Sequence, residues 1–503
     1  MFLKYIYLLL LCLVFKLNIA QVYFNNRYDN FNNGDASASL NIYNNQYLTT
    51  GVAINTMVYG FSWGLNLKTY SLLSGVETNS RTYFKQGNNY QPTFSKNTLM
   101  PNTDFIVGGS RFYHTDTSLV FLWRFNSNLD SVKYAEYGYL NKTNYISAIE
   151  KQDVYIYMAG SVDSLYQNTD ILLIKTDTSG NEIWKKKIGL PNYDETAYCI
   201  KQCANGNLLI GGLKQLHGTS TQGPFVMRMD TSGAILWQNF YPSATYANGS
   251  FDVMELPNGD IVFTGGKAYN ITAQGTMRRP MLTRVDAGGN LIWQKEYGEK
   301  AFGHDFFTFL INEKNNFVIS GEKFHPDNSA YGMVYEINQN GDSLFCREYA
   351  VQPGSQNYFR DLVQAPDKGY VFSGFITPLF ANGGTGNQDI WLLKTDSTFC
   401  EGAFNCGYPT SISEAECSLS PSKCEAGVKI SPNPVKDVLN IDISTTLDVT
   451  KELIVKITDV LGKELLFTDY QTQINISHFE TGIYFVSIMQ GDKTLVTKKV
   501  VKQ

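Results

Sequence analysis

Seven glycines at nearly even spacing constrain this chain more than any other feature. Gly51, Gly109, Gly160, Gly212, Gly266, Gly321 and Gly374 each end a short apolar run, at steps of 58, 51, 52, 54, 55 and 53 residues. The clearest copies are Asn207-Leu208-Leu209-Ile210-Gly211-Gly212, Asp260-Ile261-Val262-Phe263-Thr264-Gly265-Gly266 and Gly369-Tyr370-Val371-Phe372-Ser373-Gly374. A period of this size marks a repeat architecture, in which each unit buries its apolar faces against its neighbours.

A second segment follows each glycine run. Residues 170–184 and 225–237 show it best: an apolar strand, a turn of the Asp-Thr-Ser-Gly kind, then a strand carrying Trp184 or Trp237. Residues 281–293 and 333–345 repeat the plan. Asp can bond the backbone two residues on and Gly accepts positive φ, so the pair reads as a hairpin. One more strand precedes each glycine run, as in 197–202 and 251–256, joined to it through Ala204-Asn205-Gly206 or Pro257-Asn258-Gly259. Each unit is therefore four antiparallel strands. Seven of them predict a seven-bladed β-propeller over residues 21–402. A β-solenoid is the alternative, but its repeats are usually shorter and its strands parallel.

Ring closure sharpens the reading. The seventh unit runs through Asp389–Asp396 and then shows no fourth strand. Residues Val22–Tyr28 occupy the repeat position of Trp237–Tyr241 and Trp293–Tyr297. They are predicted to supply the outer strand of blade seven and so remove an open edge.

Composition fits strands: of 503 residues 32 are Tyr, 31 Phe and 42 Gly. Net charge is −5, so the chain lacks the basic field that non-specific nucleic-acid binding needs. Residues 1–20 read as a signal peptide, with Lys4, an apolar run from Tyr5 to Phe15, and a cut before Gln21. No later run is long and apolar enough for a membrane helix. Cys400, Cys406, Cys417 and Cys424 fall in a linker over 403–426 and its edge, where export permits one or two disulfides of undetermined pairing. Cys199 and Cys203 are a further possible local bridge, leaving Cys346 as a buried thiol.

Chemistry is hard to find. Gly60-Phe61-Ser62-Trp63-Gly64 spells a nucleophile elbow, yet no helix follows it. The five histidines, His114, His217, His304, His325 and His478, form no metal-ligand pair, although His304-Asp305 is a mild candidate. There is no phosphate loop or dinucleotide fingerprint, so no catalytic, cofactor or metal residue is assigned. Trp184, Trp237 and Trp293 are expected to pack between blades. Asp177, Asp230, Asp286 and Asp396 are expected to cap turns.

The glycine-ended strands and the turn from Asp177 to Trp184 resemble the propeller repeats of exported bacterial surface proteins. From residue 427 the pattern changes to sharp alternation in about seven short strands, which predicts a small immunoglobulin-like β-sandwich over 427–503. This segment resembles the type A sorting domain of the type IX secretion system. The matching pieces are Pro432, Asn433 and Pro434, then Leu439 and Ile441, then Gly462, then Gly482 and Tyr484, and finally Lys499, Val500 and Lys502. The resemblance implies export through the periplasm and across the outer membrane, with the type IX machinery as partner and a secreted or surface-held product. For the propeller itself the expectation is a non-enzymatic binding or adhesion module with a glycan or surface-protein ligand. A polysaccharide hydrolase or lyase working in the channel is the alternative.

Overall fold

A computed structural model describes residues 22–56, 62–114, 117–164, 167–242, 247–271, 275–299, 302–379, 386–401, 428–431, 434–443, 453–459, 463–490 and 493–503. The proposed signal peptide and the cysteine-rich linker, including Cys406, Cys417 and Cys424, lie outside the described residues. Every element among the described residues is a β-strand. The chain divides into two compact units, 1–411 and 412–503.

The first unit is a seven-bladed propeller. Blade three shows the plan: Thr143–Gln152, Tyr155–Ser164, Gln167–Asp177 and Glu182–Ile188 pair in sequence order, each antiparallel to the next. Blades one and four have the same uninterrupted order. In blades two and five the innermost strand is split, into Asn89–Pro92 with Thr98–Leu99 and Ala247–Asn248 with Val253–Glu255. A single parallel contact, Ala330 to Gln356, links the sheets of blades six and seven.

The marker glycines have a steric cause. In blades one, three, four, six and seven the innermost strand bulges directly opposite the glycine, with the register slipping past Ala38, Ser147, Tyr198, Phe307 and Arg360. The bulge turns the carbonyl just before it onto the glycine of the second strand. A Cβ on Gly321 would lie on the Asp305 carbonyl oxygen, and one on Gly374 on that of Tyr358. No side chain fits there, which is why the repeat is written in glycine.

Blades are joined by two devices. Apolar clusters span each gap; one combines Tyr157, Leu173 and Trp184 of blade three with Leu208, Phe225 and Met227 of blade four. Trp237 and Trp293 pack into the next two gaps in the same way, as the sequence predicts. The second device is a tyrosine near the end of the outer strand, whose hydroxyl donates to a carbonyl in a turn of the following blade. Tyr83 reaches Leu129 (2.6 Å), Tyr137 reaches Gly180 (2.7 Å), Tyr241 reaches Gly289 (2.8 Å), Tyr297 reaches Gly341 (2.8 Å) and Tyr349 reaches Phe399 (2.7 Å). Between blades three and four the Lys186 ammonium does this job, donating to Gly233 (2.6 Å). The turns that receive these bonds are held by the expected caps: Asp230 Oδ1 accepts from the amides of Ser232 (2.8 Å) and Ala234 (2.9 Å), and Asp286 and Asp396 do likewise.

The ring closes as the sequence predicts. Phe24–Tyr28 pairs antiparallel with the third strand of blade seven, from Phe24 opposite Lys394 to Tyr28 opposite Ile390. The Trp391 indole donates to Asn25 Oδ1 (2.7 Å), and Tyr28 donates to the Gly75 carbonyl of blade one. The chain's first strand thus repeats the tyrosine contact made elsewhere.

One expectation fails. Cys199 and Cys203 are buried but not bridged. Cys199 lies within the strand Tyr193–Gln202 and Cys203 directly follows it. Four residues of extended chain span about 13 Å, too far for a disulfide. Cys346 is half-buried in the outer strand of blade six.

The second unit is a β-sandwich. A three-stranded sheet of Val428–Ser431, Val438–Ile443 and Gln473–Asn475 accompanies a four-stranded sheet ordered Glu464–Asp469, Leu453–Asp459, Gly482–Gln490, Lys493–Lys502.

Two substitutions test this account. Gly321→Ala is expected to cost about 1–3 kcal/mol or more, because the bulge must shift. Tyr297→Phe is expected to cost about 1 kcal/mol, the net worth of one hydrogen bond. Urea midpoints of the full chain measure both, and a wild-type midpoint for Gly321→Ala would remove the steric explanation.

Candidate functional site

The bulges carry the site. A residue squeezed out of the ladder points away from its sheet, and on an innermost strand that direction is the propeller axis. Ser147, Tyr198, Phe307 and Arg360, bulged residues of blades three, four, six and seven, line one cavity of about 450 Å³. Residues at the strand breaks of blades two and five, Phe94 to Lys96 and Phe251 with Asp252, line it too. Among the described residues, every blade except the first contributes.

The walls are aromatic. Tyr198 stacks on Phe251 with centroids 5.1 Å apart and planes 13° from parallel, and Phe307 meets Phe251 edge-on at 5.5 Å. The Arg360 guanidinium lies over the Phe307 ring at 4.3 Å. Tyr145 and Phe94 add further ring surface.

The polar groups are paired ions. Lys96 bonds Asp361, Lys201 lies 3.7 Å from Asp252, Arg278 lies 2.7 Å from Asp305, and Arg360 lies 3.2 Å from Glu322. Two of these acids also tie the ring together. Asp252 Oδ2 accepts from the Phe309 amide (3.1 Å) and Thr308 hydroxyl (2.8 Å) of blade six, and Asp361 Oδ2 accepts from the Leu40 amide (2.7 Å) of blade one. Ser95 plays the same part for the Ile149 amide (2.9 Å). These amides lie on innermost strands, whose outward N–H groups have no strand beside them, so side chains of the preceding blade satisfy them.

Asp305 and Glu322 are different. They face each other in register on adjacent strands of blade six, bracketed by Arg278 from blade five and Arg360 from blade seven. Burial raises the Glu322 carboxyl to about 7; Arg360 opposes the rise and Asp305 adds to it. Glu322 is therefore a buried acid that exchanges its proton near neutrality.

The residues singled out in the sequence lie elsewhere. Ser62 is buried before the strand Trp63–Ser71 and accepts a hydrogen bond from the Gly87 amide (3.0 Å), a structural role. Among the described residues, no histidine lines the cavity. His304 is buried, and burial lowers its pKa to about 3, so it packs as a neutral ring. Its neighbour Asp305 is the one that reaches the cavity. The channel residues escaped the sequence reading, although the signal was present: in five blades the bulged residue stands 13 or 14 positions before the marker glycine.

In the C-terminal unit the motif residues divide by burial. Leu439, Ile441, Tyr484 and Val500 are core, packed with Val455, Ile457 and Val486. The Tyr484 hydroxyl donates to the Glu480 carbonyl (2.7 Å). Gly482 pairs with Lys502, and Phe485 with Lys499, so the last strand is part of the sheet. The Val435 amide donates to the Val501 carbonyl (2.8 Å) and the Gln503 amide to the Val435 carbonyl (2.9 Å), so the last residues are stitched to the segment after Pro434. Pro432, Asn433 and Gly462 lie outside the described residues. A family model described as secretion system C-terminal sorting domain matches residues 429–503. The C-terminal unit is a type IX sorting domain. This sorting domain directs export across the outer membrane, to the cell surface or the medium, and implies contact with the type IX machinery.

No curated protein matches the chain. Among solved structures, Drosophila Plexin A in complex with Semaphorin 1b is 9% identical, covers 76% of this chain and 89% of its own, and has a TM-score of 0.43. A Dyadobacter fermentans protein of unknown function is 13% identical, with coverages of 74% and 96% and a TM-score of 0.39. Cellvibrio cellulosa α-L-arabinanase, solved with arabinohexaose, is 9% identical, with coverages of 49% and 92% and a TM-score of 0.27. These likenesses are too loose to carry an argument; the propeller assignment rests on the strand order and register above.

The Glu322 environment has a measurable sign. Its folded pKa lies above the ordinary 4.5, so the folded state holds the proton more tightly and loses stability as pH rises from 4.5 to about 7. Over that window the wild type is expected to lose on the order of 2–3 kcal/mol that Glu322→Gln does not lose. Urea midpoints at the two ends of the window measure the difference.

Proposed function

We propose that the mature chain starts at Gln21 and is an exported binding protein whose channel takes a carbohydrate. The observation that carries this reading is the Tyr198–Phe251–Phe307 wall beside two guanidinium–carboxylate pairs in a single cavity of about 450 Å³. A sugar ring has apolar C–H faces that suit an aromatic wall, and hydroxyl edges that suit planar donors and acceptors. The cavity volume falls in the ordinary range for small-ligand sites. Asp252 and Asp361 are committed to holding neighbouring blades, which leaves one acid pair for a ligand.

That pair supports the second reading. Asp305 opposite Glu322, with a proton on Glu322 near neutral pH, is the acid-plus-carboxylate pattern of glycoside cleavage. The binding reading is preferred because Arg278 and Arg360 occupy both carboxylates, which suits recognition better than attack on an anomeric carbon.

For the tail, we propose that Leu439, Ile441, Tyr484 and Val500 serve sorting by building the fold. On this view the exposed Pro434 belongs to the surface that the export machinery reads.

A glycan array with the purified full chain tests the channel. Tyr198→Ala and Arg360→Ala are each expected to weaken any hit at least tenfold, and a hit that both variants keep would move the site elsewhere. Release of reducing ends from the bound glycan, abolished by Glu322→Gln, would replace the binding reading with the enzymatic one. Deleting residues 429–503 is expected to strand the chain in the periplasm, as fractionation would show.

A further inference from the structure

Ring closure brings together three carboxylates that are far apart in the chain. Asp29 follows the closing strand Phe24–Tyr28, Asp35 opens the innermost strand of blade one, and Asp389 opens the third strand of blade seven. One oxygen from each lies within 4.8 Å of the other two. Calcium binds oxygen at about 2.3–2.6 Å, so oxygens up to roughly 5 Å apart can share one ion.

Two further observations point to a cation. Asp35 is fully buried and its Oδ1 has no hydrogen-bond partner among the described residues, although Oδ2 accepts from the Asn30 amide. A buried carboxylate oxygen without a donor is costly unless something positive meets it. The charge count agrees. Arg27 pairs with Asp389 from a half-exposed position, and the Lys68 ammonium, which lies near Asp35, is bonded to Glu77. Three carboxylates against one guanidinium leave two negative charges at one place.

We propose that Asp29, Asp35 and Asp389 bind one calcium ion that locks the closing strand between blades seven and one. The donors are all hard oxygens, which suit calcium better than zinc or copper.

The test is Ca²⁺ titration of the full chain by calorimetry, with melting curves in millimolar CaCl₂ and in EDTA. The wild type is expected to melt at least about 2 °C higher with Ca²⁺. Asp29→Asn and Asp35→Asn are each expected to weaken Ca²⁺ affinity at least tenfold. Asp29 is exposed, so its variant decides the matter if Asp35→Asn fails to fold. Identical wild-type melting in Ca²⁺ and EDTA, or wild-type Ca²⁺ affinity in either folded variant, would overturn the proposal.

Discussion

The propeller depends on one local distortion: an innermost strand that bulges and lays a backbone carbonyl where the neighbouring strand has no side chain. The distortion forces glycine onto the second strand. In five blades it turns one residue out of the ladder. Periodicity and much of the cavity lining therefore share one cause.

That shared cause explains how much was legible in the sequence. Gly160 or Gly321 stands out because no other residue fits, so the number of blades could be counted. The closing strand was legible because Tyr28 stands where Tyr241 and Tyr297 stand, and all three make the same bond. The channel was not legible, because the bulged positions are free to differ: Ala38, Ser147, Tyr198, Phe307 and Arg360 share a backbone role and nothing else. Geometry fixes the backbone there and leaves the chemistry of the side chain open, which is what a scaffold for variable sites requires. The supposed bridge of Cys199 and Cys203 failed for the opposite reason, since closeness in sequence means distance along an extended strand.

The sorting domain shows the complementary case. Four of its recognisable residues, Leu439, Ile441, Tyr484 and Val500, are core and would be needed by any sandwich of this build. A motif read from sequence mixes residues that shape a module with residues that a partner touches, and burial separates the two. Here the separation leaves Pro434, exposed next to the core residue Val435, as a motif residue that packing does not explain.

The closing strand has a consequence for the order of events during synthesis. Phe24 pairs with Lys394, so the partner of the earliest strand emerges from the ribosome only after six other blades. Until then residues 24 to 28 form an unsatisfied edge, with an aromatic side chain and open amides that invite mispairing. A ring that is seamless once complete therefore passes through a long interval in which its first few residues have nowhere to dock.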